Sequence, residues 1–160
     1  MSTKKKLQAA DDEISLLKEI KQILREIKPE VQRIAVDGHK SIILLDTSDI
    51  CYITTDGRKL LFYTADGKQY YNYDSLSELE KKFSTDPRYL RAHRSFIINM
   101  DQLKEIFIVP GGREVTFLTL PPETKIPVAY SAVKKLEAYF HLKDTVQKIT
   151  DSWKSNEPKN

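Results

Sequence analysis

At 160 residues the chain can bury one sizeable core, which favours a single domain with appended segments, and 40% hydrophobic with 31% charged residues, 5 Gly and 7 Pro exclude a disordered or fibrous chain. A formal net charge of +3 is too small to argue for a polyanionic partner by itself, and a single cysteine, Cys51, excludes an internal disulfide. No run approaches the roughly 18 apolar residues of a membrane span, and Met1-Ser2-Thr3-Lys4-Lys5-Lys6 leads into acids rather than an apolar signal core, so a cytoplasmic protein without membrane insertion is expected.

From about Asp11 to Lys28, apolar residues recur as Leu16/Leu17, Ile20, Ile23/Leu24 and Ile27, one stripe of an amphipathic helix. Asp11, Asp12 and Glu13 suit its N-terminal dipole and Pro29 ends it. Leu16, Ile20, Ile23 and Ile27 also fit a short heptad seam, so the stripe packs either on its own domain or on a second copy.

The period then shortens to β-type runs at 33–36, 41–45, 51–55, 60–64 and 69–73, separated by Asp37-Gly38, Asp46-Thr47-Ser48-Asp49, Asp56-Gly57 and Ala65-Asp66-Gly67. Three Asp-Gly pairs between apolar-aromatic runs predict an antiparallel meander. Cys51 lies inside Ile50-Cys51-Tyr52-Ile53 and reads as a small buried hydrophobe.

A short helix follows, with Ser75 as cap, Glu78 at the capping-box position, and Leu76, Leu79 and Phe83 as its apolar side. Between Pro87 and Met100 stand Arg88, Arg91, His93 and Arg94 without an acid, a local basic cluster for which a polyanion is the natural partner. A hairpin over 105–109 and 114–118 turns at Pro110-Gly111-Gly112-Arg113, and the β layer ends near 125–128. From Ser131 onward Val133, Leu136, Phe140, Val146, Ile149 and Trp153 predict a final helix, with a mobile tail from Ser155.

Chemistry-bearing patterns are scarce. His39, His93 and His141 lie in separate elements without partners at metal-ligand spacing, and there is no phosphate-cradling Gly loop, G-x-S-x-G or H-E-x-x-H. Asp37, Asp56 and Asp66 each precede Gly where hairpin geometry asks for that pair, and Asp46 and Asp49 lack the parallel α/β setting of a phosphate receiver. No enzyme activity, metal or cofactor is expected.

The stretch Tyr89-Leu90-Arg91-Ala92-His93-Arg94-Ser95-Phe96-Ile97-Ile98-Asn99, continuing to Ile106, closely resembles the signature of LytTR domains, the bacterial DNA-binding domains of the LytR/AlgR type. The likeness extends over roughly Val31 to His141: residues 50–57 resemble the strand and loop before the family's first DNA-facing turn, 76–83 its short helix, and Ile126-Pro127-Val128 with Val133-Lys134-Lys135-Leu136 its closing strand and helix. The resemblance implies a mainly β (α+β), elongated fold of small antiparallel sheets. It also implies sequence-specific promoter binding by loops in the major groove, commonly by two copies on paired sites.

Carried over by position, the first DNA-facing loop is Gly57 with Arg58 and Lys59, the second holds Arg91, His93, Arg94, Ser95 and Asn99, and the third is the turn with Tyr130, Ser131 and, beyond it, Lys134. Arginine can bond guanine O6 and N7 together and lysine neutralises phosphate, which makes Arg94 the best base reader. His93 and Asn99 have the alternative of bonding backbone and shaping the loop. Many family members carry arginine where this chain has Ala129-Tyr130-Ser131, so a base-reading cation is missing there; Tyr130, Ser131 and Lys134 suit phosphate or sugar, with a core role as the alternative for Tyr130.

The organisation expected is an N-terminal helix over 1–30, a LytTR-like domain over 31–142 and a C-terminal helical extension with a mobile tail over 143–160. The function expected is a stand-alone, cytoplasmic transcription regulator without a receiver domain, binding double-stranded promoter DNA, with a homodimer seam at Leu16, Ile20, Ile23 and Ile27. The alternatives are a protein-interaction module using the amphipathic terminal helices, and a small-ligand site lined by Tyr52, Phe62 and Tyr71.

Overall fold

The computed structural model describes residues 2–26 and 31–156, with side chains for 8–23 and 31–156; Ile27 of the heptad seam and tail residues 157–160 lie outside these. The chain divides into two compact units, Met1–Glu30 and Val31–Asn160.

The first unit is a single helix, α1 (Ser2–Glu26). It begins well before the expected start at Asp11, because Lys4-Lys5-Lys6-Leu7-Gln8-Ala9-Ala10 is a run of strong helix formers that needs no break. Asp11, Asp12 and Glu13 therefore lie inside the helix rather than at its first turn. Ile14, Leu16, Leu17, Ile20 and Ile23 are all exposed.

In the second unit, β1 (Arg33–Asp37) and β2 (Ile42–Asp46) pair as a hairpin of their own. A meander continuing straight through β2 is thus corrected. Asp46 accepts hydrogen bonds from the Ser48 N–H (2.9 Å) and hydroxyl (2.7 Å), winding 47–49 into a single 3-10 turn that carries the chain away from β2. Buried Thr47 ties that turn to the Val31 and Gln32 carbonyls.

The meander proper is β3 (Ile50–Asp56), β4 (Lys59–Thr64) and β5 (Gln69–Asn72), extended by β6 (Tyr89–His93) and β7 (Phe96–Asn99) into an antiparallel sheet of order β5-β4-β3-β7-β6. Between β5 and β6 lies α2 (Leu76–Lys82), whose cap Ser75 accepts from the Glu78 N–H at 3.1 Å. A second antiparallel sheet of order β10-β9-β8 comprises β8 (Leu103–Val109), β9 (Gly112–Phe117) and β10 (Ile126–Ala129). The expected single final helix is two, α3 (Tyr130–Tyr139) and α4 (Lys143–Ser155). His141 takes a left-handed φ of 55° between them, which ends the first helix before the apolar spacing is exhausted.

The five-stranded sheet separates two cores. Cys51, Tyr52, Leu90, Ala92 and Ile98 pack with Val115, Phe117 and Val128 of the second sheet and with Leu136 of α3. Ile50, Ile53, Leu60, Phe62 and Ile97 face the other way, against Ile34, Val36 and Leu45 of the β1–β2 hairpin and Leu79 and Phe83 around α2. Tyr52 and Phe62 thus belong to opposite faces and line no common pocket. Cys51 is fully buried, and burial pushes its thiol up to about 11.

Arg88, counted above in the basic cluster, is buried as well. Its guanidinium bonds both carboxylate oxygens of buried Asp86, with Nη2 at 2.9 Å, and reaches Thr47, fastening the entry to β6 to the 3-10 turn that follows β2. A cation held this way is a structural strut, because leaving either partner alone would strand a charge in the interior.

Candidate nucleic-acid interface

Antiparallel pairing dictates which turns share an end of the five-stranded sheet. Thr54 of β3 stands opposite Phe96 of β7, and Asp56 opposite Lys59 of β4, so the β3–β4 turn and the β6–β7 turn emerge side by side. The Thr54 hydroxyl donates to the Ser95 carbonyl at 2.8 Å and ties one turn to the strand of the other. At the tip of the first turn Gly57 has φ 61°, the left-handed conformation that a two-residue hairpin requires.

Arg58 and Lys59 project from that first turn and are exposed. Lys59 Nζ lies 4.4 Å from the centre of the Tyr71 ring, which steadies the side chain without neutralising it. In the second turn Arg94 is exposed, and its guanidinium bonds none of the described residues. His93 turns inward: its Nδ1 accepts from the Ser95 N–H at 3.2 Å and its ring lies 5.8 Å from that of Phe96.

Two of the candidates have other duties in the structure. Asn99 is fully buried; its Nδ2 donates to the Ile50 carbonyl at 2.9 Å and its Oδ1 accepts from the Asp101 N–H at 3.1 Å, so its amide is spent on backbone and does not reach the surface. Arg91 is half-buried, with Nε on the His93 carbonyl, Nη2 on the Arg94 carbonyl and Nη1 on Glu80. Thr54 and Glu80 were not singled out in the sequence, since each acquires its role only through strand pairing or through the packing of α2 against β7.

The third turn opens α3. Tyr130 is 79% exposed, which excludes the core role, and Ser131 and Lys134 are exposed beside it. Ala129 provides no side-chain cap, leaving the first-turn N–H groups to other acceptors. Arg113 of β9 stands opposite Val128 near this turn, yet its Nη2 pairs with Glu137 at 3.0 Å and it is largely covered. It does not supply the missing cation. A groove of about 750 Å³, lined among others by Glu80, Arg91, Ser131 and Lys135, runs between α2 and α3 over β6.

Among the described residues, no group of three His, Cys, Asp or Glu is arranged to hold a metal ion, and no helix is long and apolar enough to cross a membrane. Every strand pairing is antiparallel.

Residues 40–141 match the LytTr DNA-binding domain family. The chain belongs to the LytTR family. The sensory transduction protein LytT of Bacillus subtilis (strain 168) is 32% identical over 133 residues, 79% of this chain and 54% of that protein. The transcriptional regulatory protein BtsR of Salmonella typhimurium is 28% identical over 130 residues, 81% of this chain and 49% of that protein. The chain thus spans about half the length of the curated relatives it matches. A solved LytTr DNA-binding domain from Bacillus cereus shares the fold, with a TM-score of 0.56 at 17% identity over 68% of this chain and 95% of that one. The LytTR match covers both paired turns, α2 and α3, and ends at the chain reversal at His141.

Proposed function

We propose that this LytTR chain is a sequence-specific, double-stranded DNA-binding transcription regulator that acts in the cytoplasm and sets its turns into successive major grooves. The observation that carries the reading is the tethering of the β3–β4 and β6–β7 turns at one end of one sheet, with Arg58 and Arg94 both projecting and neither guanidinium engaged by the described residues. Two guanidinium forks on a rigid edge can bond base edges or phosphates without first breaking a protein contact. Lys59, Ser131, Tyr130 and Lys134 would grip phosphate and sugar to either side.

In this reading Arg94 reads a base while Lys59 supplies sequence-independent affinity. Arg94→Ala should lose about 1–3 kcal/mol on the selected site and much less on unrelated duplexes, whereas Lys59→Ala should weaken all duplexes evenly and flatten the salt dependence by about one unit. Titration of both variants against a duplex selected from random sequence checks this. Equal binding of Arg94→Ala and the parent chain at every salt concentration would overturn the assignment.

The exposed Leu16, Ile20 and Ile23 on α1 support a homodimer seam, by which two copies would occupy paired sites and raise one another's effective concentration. The same exposure, with Ile149 and Trp153 exposed on α4, favours a second reading in which the terminal helices dock a different protein. Chromatography of the chain with promoter fragments, alongside pull-down from cell extract, separates the two.

A further inference from the structure

We infer that Arg91 is a positioning residue that sets the shape of the Arg94 turn, and that Glu80 on α2 holds Arg91 to this task. The inference rests on the reading of Arg94 as a base contact. The β6–β7 ladder shifts register between Arg91 and His93, which leaves carbonyls of the turn for side-chain donors. Arg91 takes two of them: Nε donates to the His93 carbonyl at 2.9 Å and Nη2 to the Arg94 carbonyl at 2.6 Å. Its remaining edge is fixed by Nη1 on Glu80 Oε2 at 2.8 Å. One planar fork therefore spans two carbonyls and a carboxylate, and the backbone of Arg94 is held while its own side chain stays unengaged. Lysine carries the same charge but has no fork with which to bridge these three acceptors. A residue that merely neutralised phosphate would be replaceable by lysine; a residue that shapes the turn is not.

The test uses the 160-residue chain and its Arg91→Lys, Arg91→Ala and Glu80→Ala variants. Each is titrated at several salt concentrations with the duplex that the parent chain selects from random sequence, and with a scrambled duplex of equal length and composition. Arg91→Lys and Arg91→Ala should both lose about five- to tenfold of the selected-to-scrambled affinity ratio, with the salt slope of the parent. Rescue by lysine, together with a slope about one unit shallower for alanine, is the behaviour of a phosphate contact and overturns the inference.

Glu80 is over half exposed, so its loss leaves the fold intact. Removing its negative charge should by charge alone tighten every duplex alike; a fall of about two- to threefold in the ratio is expected instead, and an unchanged ratio overturns the role given to Glu80. In an Arg94→Ala background the further change Arg91→Ala should alter the ratio by less than about twofold, since the reader it positions is gone; a second full loss overturns the coupling. A parent-like ratio for Arg94→Ala alone removes the reading beneath the inference, whereas loss in Arg94→Ala with rescue in Arg91→Lys removes the inference only.

Discussion

Asn99 is a polar residue with no exposed surface and no amide group left over. It bridges the start of β3 to the turn that follows β7, and both partners are backbone groups inside the domain. Replacing it with alanine leaves the buried Ile50 carbonyl without its donor, so Asn99→Ala should cost about 1–3 kcal/mol of stability. Urea unfolding checks the loss, and the salt slope of DNA binding by the folded variant should match the parent's. Ser95, in the turn just before β7, ties β3 to the paired turns through its backbone carbonyl rather than its side chain. The motif around 89–99 therefore mixes residues that face out with residues that hold the strands, and the sequence did not separate them. Arg91, Arg94 and Asn99 all carry groups able to bond a base. Which of them is spent within the protein depends on Glu80 and the Ile50 carbonyl, which lie outside the motif, and on a register shift within it that no residue pattern marks.

Among elements, α2 is short and its formation leans on its first turn. Ser75 accepts from the Glu78 N–H, while Leu76 and Leu79 pin one face to the core. Ser75→Ala should remove about 1 kcal/mol of stability, read by thermal or urea unfolding. Through Glu80, a loosened α2 would also loosen the grip on Arg91. The capping pattern was plain in the sequence because it is local: a cap, an acceptor spacing and apolar residues within one turn. The hairpins were equally legible from Asp-Gly pairs and period-two runs. Legibility failed where a local signal was silent about direction. Nothing in Asp46-Thr47-Ser48-Asp49 distinguishes a turn that returns a strand to its neighbour from one that sends it to a different sheet, and the apolar spacing of 133–153 continues through the reversal at His141. The helix α1 was placed late for the opposite reason: its first turns are polar, so the apolar stripe began after the helix did.

For the whole molecule, exposed apolar side chains on α1 predict association. If α1 supplies the dimer seam, the double change Leu16→Glu and Ile20→Glu should convert the chain to a monomer in sedimentation and abolish cooperative binding to a paired site, with affinity for a single site retained. Dimer retention by that variant would send the search for the contact to α4, where Ile149 and Trp153 are also exposed. The two cores of the second unit have their own consequence. Strands β6 and β7 feed side chains alternately to opposite faces, so an insertion of one residue within either of them would exchange the contents of the cores. The turn side chains carry no such constraint: Arg58 and Arg94 lie beyond the paired ladder and can change identity without asking the strands to shift, while Gly57 is held by its left-handed φ. If the tips read DNA as proposed, a scaffold divided in this way would let the preferred DNA sequence drift by substitution at a few tips while the packed sheet stays the same, making the domain easy to retarget and hard to lengthen.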